Sequence, residues 1–141
     1  MARYLVAIIS GLLTIGLGWP TYGQSQLRVA QLQNSPSSGL AGTWRSGNFA
    51  FTFSADGRYV YVGAMGGAGM QTRISEEGTY SVSGNTLIIQ RQSGLIQNTA
   101  NYRQDLGPQV TTYGFVLGTT QFGLAMQLTF PDGRPQTFYR E

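Results

Sequence analysis

Gly42-Thr43-Trp44 begins a series of short strand patterns that continues to Phe138-Tyr139-Arg140 near the C-terminus. Trp44 is the one tryptophan outside an apolar N-terminal segment. Everything after it has the pattern of short strands separated by turns. We therefore interpret Trp44 as the residue against which those strands fold back.

Two hairpins with the same turn chemistry lie at the two ends of this region. In the first, Phe49, Phe51 and Phe53 alternate with smaller or polar residues, a period of two that is typical of half-buried β-strands. Asp56-Gly57 follows, and this dipeptide supplies the positive φ that a tight hairpin turn needs. Pro131-Asp132-Gly133 repeats the turn near the C-terminus. Since the turn sets the register, it also decides which aromatic residues point inward.

Further strands are predicted between these hairpins, at residues 78–82, 87–89, 110–117 and 124–130. Residues 91–109 fit either an edge-like strand or a long loop, and we assign the strand. An even run of short meandering strands is what a closed barrel needs in order to remove its edges. The predicted fold class is all-β, a small antiparallel up-and-down barrel of eight or nine short strands.

A glycine-rich stretch covers residues 63–70. It lacks the Gly-Lys-Ser/Thr and Gly-x-Gly-x-x-Gly patterns of phosphate-binding loops, and no helix pattern follows it. We interpret it as a mobile loop at the barrel mouth, and a plain flexible connection is favoured over a lid.

The composition supports one β-rich domain and excludes several kinds of chemistry. Aromatic residues make up 12% of the chain, charged residues 11%, and 20 residues are glycine, which suits short strands and tight turns. Cysteine and histidine are both absent, so the chain has no thiol nucleophile, disulfide, structural zinc site or Ser-His dyad. We expect no metal site and no cofactor.

The basic residues are spread along the chain rather than clustered. All nine are arginines, and removal of Arg3 with a leader leaves eight against six acidic residues, a net charge of +2. Such a mild and dispersed charge does not form the stripe that a phosphate backbone requires. We therefore expect no nucleic-acid partner.

No constellation of catalytic residues is found. The adjacent acids Glu76 and Glu77 would point to opposite faces of a strand, and we interpret both as solvated. Asp105 and Arg103 form at best a surface pair. A serine or threonine hydroxyl without an activating base is a polar surface group. We predict that the protein is not an enzyme.

Residues 1–23 have the layout of a secretory signal peptide, with a positive charge at Arg3 and an apolar run over residues 5–17. Cleavage before Gln24 is favoured over cleavage after Ala30. A retained membrane anchor is disfavoured, because the run is shorter than the ~20 apolar residues that a span needs. The expected location is the periplasm or the exterior, with no stable membrane anchor after cleavage.

The region between leader and domain differs in composition from both. Residues 24–39 are rich in Gln, Ser, Asn and Pro and keep no period, which predicts a disordered linker. The barrel domain is assigned to residues 40–141.

The Gly-x-Trp at the first strand and the arginine on the last strand resemble the lipocalin-like family of small β-barrels, of the bacterial, exported kind. In that family the tryptophan plugs one barrel end and the arginine packs over the indole. The resemblance thus implies a structural role in barrel closure for Gly42, Trp44 and Arg140. The alternative is that Arg140, next to the C-terminal Glu141, is frayed and free.

The chain also departs from this family. It is shorter than a typical lipocalin and lacks the family's disulfide and C-terminal helix, which weakens any carry-over of lipid binding. An avidin-like barrel builds its biotin site with further tryptophans, and none follows Trp44. Biotin binding is therefore not expected.

The remaining candidate site is the barrel interior. An eight-stranded barrel has room either for packed side chains or for one small ligand, so these residues would either fill the core or line a cup for a small apolar molecule. The candidate interior residues are Phe49, Phe51, Phe53, Tyr80, Leu87, Ile89, Phe115, Leu124, Met126 and Leu128.

These observations together predict an exported non-catalytic lipocalin-like barrel that binds a small apolar molecule in its interior. The alternative is a structural or protein-interaction module of the cell envelope with a filled core. An enzyme acting on a small apolar substrate is the least favoured hypothesis. The sequence indicates neither the identity of a ligand nor an oligomeric state.

Overall fold

The computed structural model describes residues 28–29 and 39–141. Within them the chain forms ten β-strands that belong to one antiparallel sheet. The strands are β1 (Arg28–Val29), β2 (Gly42–Ser46), β3 (Phe49–Phe53), β4 (Arg58–Gly67), β5 (Met70–Ser83), β6 (Thr86–Asn98), β7 (Arg103–Leu106), β8 (Gln109–Thr120), β9 (Gly123–Thr129) and β10 (Pro135–Arg140).

Eight of these strands close into a barrel. β2, β3, β4, β5, β6, β8, β9 and β10 pair in that order, and β10 pairs back onto β2 through Arg140↔Trp44 and Tyr139↔Arg45. The predicted fold class, an all-β antiparallel up-and-down barrel, is confirmed. β7 and β1 lie beside the closed ring. β7 falls within residues 91–109, where the predicted number of strands is open, and β1 falls within the predicted linker.

The predicted signal peptide, residues 1–23, lies outside the described residues. Of the predicted linker, Arg28 and Val29 are described as a short strand that pairs with Thr119 and Gly118 of β8. No helix in residues 28–29 and 39–141 is long and apolar enough to cross a membrane.

Part of the sheet continues beyond the barrel. β3 pairs with β4 as far as Phe49↔Gly63, and β8 pairs with β6 as far as Gln109↔Arg91. Past these points β4, β5, β6 and β7 pair with one another alone. We call this part, residues 62–77 and 93–106, the protruding sheet.

The protruding sheet includes the glycine-rich stretch, so the prediction of a mobile loop at residues 63–70 is wrong. β4 continues to Gly67 and β5 begins at Met70. Ala68 and Gly69 form the turn between them, with φ angles of 51° and 92°, the two consecutive positive values of a tight hairpin turn. Pairing with β5 satisfies the backbone of β4 and outweighs the weak strand preference of glycine.

Residues 91–109 also contain more strand than expected. The second half of β6 lies here together with the edge strand β7. Gly78 pairs with Arg91 while Glu77 pairs with Ser93, so Gln92 is an extra residue on β6 and forms a β-bulge. A bulge shifts the alternation of side chains by one residue and bends the strand, and this one lies where the protruding sheet leaves the barrel.

Aromatic and aliphatic side chains pack against one another in the barrel interior. Trp44 is completely buried, and its indole Nε1 donates a 2.7 Å hydrogen bond to the carbonyl oxygen of Leu40. The ring of Phe51 lies 4.5 Å from that of Tyr61 and 5.4 Å from those of Phe53 and Phe138, measured between centroids. Such offset and edge-on contacts stabilise the core beyond the burial of area alone.

Candidate functional site

The structure places the three residues that the family resemblance assigned to barrel closure in contact with one another. The guanidinium carbon of Arg140 lies 5.8 Å from the centroid of the Trp44 ring, and its Nη2 donates a 2.8 Å hydrogen bond to the carbonyl oxygen of Ala41. Gly42 has a φ of 133°, and a Cβ atom there would lie 3.2 Å from the Arg140 Nε. Glycine at position 42 therefore leaves room for the arginine over the indole.

The C-terminus is attached to the same strand pair. The backbone N–H of Glu141 donates to the carbonyl oxygen of Thr43 over 3.0 Å, and its carboxylate accepts a hydrogen bond from Arg45. This contact with Arg45 lowers the pKa of Glu141. Both side chains are half exposed, so the ion pair itself adds little stability.

The ten candidate interior residues lie in one core cluster. Eight of them are buried, with at most 8% of their surface exposed, and Phe49 and Leu124 are partly buried and pack against the others. Three cavities are described, with volumes of about 230, 290 and 220 Å³, and none of the ten residues lines any of them. These ten side chains therefore pack together as part of the barrel core.

A partly buried ion pair joins the neighbouring strands β5 and β6 where the protruding sheet begins. Arg91 Nη1 lies 3.0 Å from Glu76 Oε1, and the two side chains are 16% and 18% exposed. The same guanidinium donates from Nε to the Gly107 carbonyl oxygen over 2.9 Å and from Nη2 to Gln109 Oε1 over 2.6 Å. Arg91 thus connects β5 to the junction between β7 and β8.

The interpretation of Glu76 as a solvated residue is wrong. Strand alternation directs Glu76 inward, and its partner comes from β6, across the sheet. Glu77 does lie on the outer side, where it accepts a 2.9 Å hydrogen bond from Ser93 Oγ. A search limited to sequence neighbours does not find such a pair.

Three tyrosine hydroxyls lie near Glu76. Burial raises the pKa of Tyr61 to about 12, and the negative charge of Glu76 adds to this effect. Burial and the same carboxylate also raise the pKa of Tyr59 and of Tyr113. The hydroxyl of Tyr59 is buried with no hydrogen-bond partner among the described residues. These phenols stay protonated at neutral pH, so they are hydrogen-bond donors rather than bases or nucleophiles.

A groove lies on the outer face of the protruding sheet. Its volume is about 290 Å³, and Val62, Ala64 and Leu95 form its apolar part, with Arg73 and Gln97 among its polar neighbours. A shallower depression of about 230 Å³ continues from it past Val60, Ser75 and Glu77. Val60 and Val62 are each 46% exposed.

The tip of the protruding sheet is also apolar. Met65, Met70 and Tyr102 are about half exposed, at 53%, 51% and 50%. Asn98 Nδ2 lies 3.8 Å from the sulfur of Met70, so the two hairpins contact each other at this end. The surface therefore has apolar side chains both at the tip and along the outer face.

Comparison with protein-family models, with curated proteins and with solved structures found no match. No group of three or more acidic side chains in residues 28–29 and 39–141 is arranged to hold a metal ion.

Proposed function

We propose that this protein is an exported, non-catalytic lipocalin-like barrel that acts as a protein-interaction module of the bacterial cell envelope. The filled barrel is the scaffold, and the outer face of the protruding sheet is the binding surface. The observation that carries this proposal is the contrast between the two: the ten interior side chains are packed, whereas the apolar residues of the groove are exposed.

The filled core argues against the hypothesis of a ligand inside the barrel. Ligand sites are concave and commonly have volumes of about 300–1,000 Å³, and the interior residues are packed against one another instead of around such a space. The rings of Phe53 and Tyr80, for example, meet edge to face at 4.8 Å. A ligand would have to displace these contacts.

The groove favours a partner segment of defined chemistry. Val62 and Leu95 offer an apolar floor. Arg73 lies beside them and makes no ion pair with any residue in the described part of the chain. A segment that presents an apolar side chain next to a carboxylate complements both features, because the carboxylate would pair with Arg73.

The first test separates this function from ligand binding. The purified protein is titrated with an environment-sensitive fatty-acid probe. We expect no saturable fluorescence signal up to about 100 µM probe, a concentration that would reveal even weak sites. A saturable signal with one site per chain would overturn the filled-core proposal.

The second test locates the surface. A photo-crosslinking amino acid is placed at Val62 in the groove, and, as a matched control, at Ser81, which is exposed on the barrel part of β5. In the envelope of the source cells we expect a discrete adduct from position 62 only, and Arg73→Glu should abolish it. Equal adducts from both positions, or an adduct that is insensitive to Arg73→Glu, would contradict the assignment.

A further inference from the structure

β7 is the last strand of the sheet and has a free edge. It pairs with β6 from Gly94↔Leu106 to Gln97↔Arg103 and has no other neighbour in the described sheet. Its residues Arg103 and Asp105 are well exposed, at 66% and 78% of their side-chain surface. An unpaired strand edge is a template for another strand.

The hydrogen-bond pattern shows which residues of β7 face this edge. Asn98 donates its backbone N–H to the carbonyl oxygen of Tyr102 over 3.0 Å, so Tyr102 directs its backbone groups toward β6. Backbone direction alternates along an antiparallel strand. The N–H and C=O groups of Arg103 and Asp105 therefore point away from β6 and are open to a partner.

We propose that two copies of this chain form a dimer by pairing the free edges of their β7 strands. The two strands run antiparallel and are related by a two-fold axis that passes through Gln104. In this arrangement Arg103 of each copy lies opposite Asp105 of the other. About four backbone hydrogen bonds and two ion pairs of opposite charge form across the axis. The contact uses the strand edge instead of the outer groove, so it goes beyond the proposed function and does not depend on it.

The charges select this register over its neighbours. Residues with outward-pointing backbone groups must face each other, so Arg103 meets Arg103, Asp105 or Gly107 of the second copy. In the register where Arg103 meets Arg103, two arginines lie opposite each other. In the register where Arg103 meets Gly107, Asp105 lies opposite Asp105. Like charges directly opposite are destabilising. The middle register is the one in which both pairs have opposite charges.

The ion pair that Arg103 and Asp105 form within one chain competes only weakly with the pairs proposed across the dimer. Arg103 Nη2 and Asp105 Oδ1 of the same strand are 3.4 Å apart and largely exposed, a geometry that contributes little. In the dimer the same groups lie directly across from their partners. The symmetric contact is also closed, since each copy uses the same edge, so it ends at two chains and does not grow into a fibre.

Pairing also extends an apolar face. Leu106 of β7 is partly buried and pairs with Gly94, two residues before Ile96 on the same face of β6. Ile96 in turn pairs with Ile74 of β5. Joining two β7 edges would bring the two Leu106 side chains onto one continuous sheet. A contact of this size is small, so we expect a weak dimer.

Charge reversal tests the register. The oligomeric state of the full chain, as the cell processes it, is measured by sedimentation equilibrium up to roughly 1 mM protein. We expect a monomer–dimer equilibrium for the wild type. Arg103→Asp and Asp105→Arg, each alone, should raise the dimer dissociation constant about tenfold or more, because each places like charges opposite each other.

Two combinations make the result specific. An equal mixture of the Arg103→Asp and Asp105→Arg chains should form heterodimers, since one chain then has two acids on its edge and the other two arginines. The double variant Arg103→Asp/Asp105→Arg should dimerise within about threefold of the wild type, because the charges are merely exchanged.

A matched control comes from the β9–β10 turn. Arg134 and Asp132 form an exposed ion pair that is also two residues apart, and Arg134→Asp should leave the dimer unchanged. Circular dichroism melts of all variants check that they remain folded. A wild type that is monomeric throughout, single reversals that dimerise as well as the wild type, or a mixture that forms no heterodimer would each overturn the proposal.

Discussion

Replacing Arg140 by alanine should destabilise the barrel measurably, because this side chain makes three contacts at the point of closure. Its guanidinium carbon lies 5.8 Å from the centroid of the Trp44 ring, near the outer limit of about 6 Å for a cation-π contact, which suggests about 0.5 kcal/mol. The 2.8 Å hydrogen bond to the Ala41 carbonyl oxygen adds about 1 kcal/mol. The side chain also covers Gly42. The free energy of unfolding should therefore fall by about 1–2 kcal/mol.

The assay is thermal unfolding followed by circular dichroism, together with the emission spectrum of Trp44. For a domain of this size, the expected loss corresponds to a decrease of about 4–16 °C in Tm. The emission should shift to longer wavelength, because water gains access to the indole face that the guanidinium covers. Urea unfolding gives an independent value of the same free energy.

Arg45→Ala is the matched control. Arg45 pairs with Tyr139, which is the position next to the Arg140↔Trp44 pair on the same two strands. Its side chain, however, is 51% exposed and forms an ion pair with the equally exposed Glu141. Its removal should change Tm far less than Arg140→Ala does, without a change in emission. If both variants have the same Tm and the same spectrum as the wild type, the contact between Arg140 and Trp44 does not hold the barrel closed.

Three further changes should have defined effects. Gly63→Ala would place a Cβ atom 2.4 Å from the Phe49 Cδ1, so unfolding by urea should show a loss of about 1–3 kcal/mol; an unchanged midpoint would contradict this packing. Arg91→Met should destabilise more than the double variant Glu76→Gln/Arg91→Met, because the single change leaves a partly buried carboxylate without its cation; equal losses would indicate no coupling. The raised pKa of Tyr61, about 12, means that the folded state holds this proton more tightly than the unfolded chain does. Tm should therefore be constant up to about pH 10 and fall as pH approaches 12, and Tyr61→Phe should reduce this fall, whereas an equal fall in both would exclude Tyr61 as its source.

Much of the barrel is predictable from the sequence, because local patterns determine it. Phe49, Phe51 and Phe53 alternate in the sequence, and all three lie in or against the core. Gly57 and Gly133 have φ angles of 86° and 84°, as the two Asp-Gly turns predicted. In both cases the information lies within a few residues, so a period and a turn type are enough to recover it.

The protruding sheet is harder to predict, because long-range pairing decides it. Glycine has a weak intrinsic preference for strands, so residues 63–70 have the composition of a loop until they pair with β5. Glu76 and Arg91 are 15 residues apart in the chain, and their contact depends on the register of β5 with β6. Neither the composition nor the two-residue period of the sequence predicts that register.

A sequence pattern also does not predict how closely the side chains of the core pack. Alternation indicates which side chains face inward, but it does not show whether they meet across the barrel. In the structure the ring of Phe51 contacts the ring of Tyr61 on the neighbouring strand β4 and the ring of Phe138 on β10. The sequence pattern therefore located residues of the core, whereas the contacts that these residues make with one another were visible only in the structure.

The bulge at Gln92 explains how an apolar side chain of β6 comes to lie on the outer face of the sheet. Without the extra residue, continued alternation from Ile89 and Arg91 would place Leu95 on the inner face. The bulge instead brings Gly94 and Ile96 opposite the inward residues Glu76 and Ile74, and Leu95 then lies on the outer face beside Val62. The extra residue Gln92 thus directs the side chain of Leu95 away from the barrel core and onto the outer face of the sheet. Gln92 is therefore the residue on which the contribution of Leu95 to the outer groove depends.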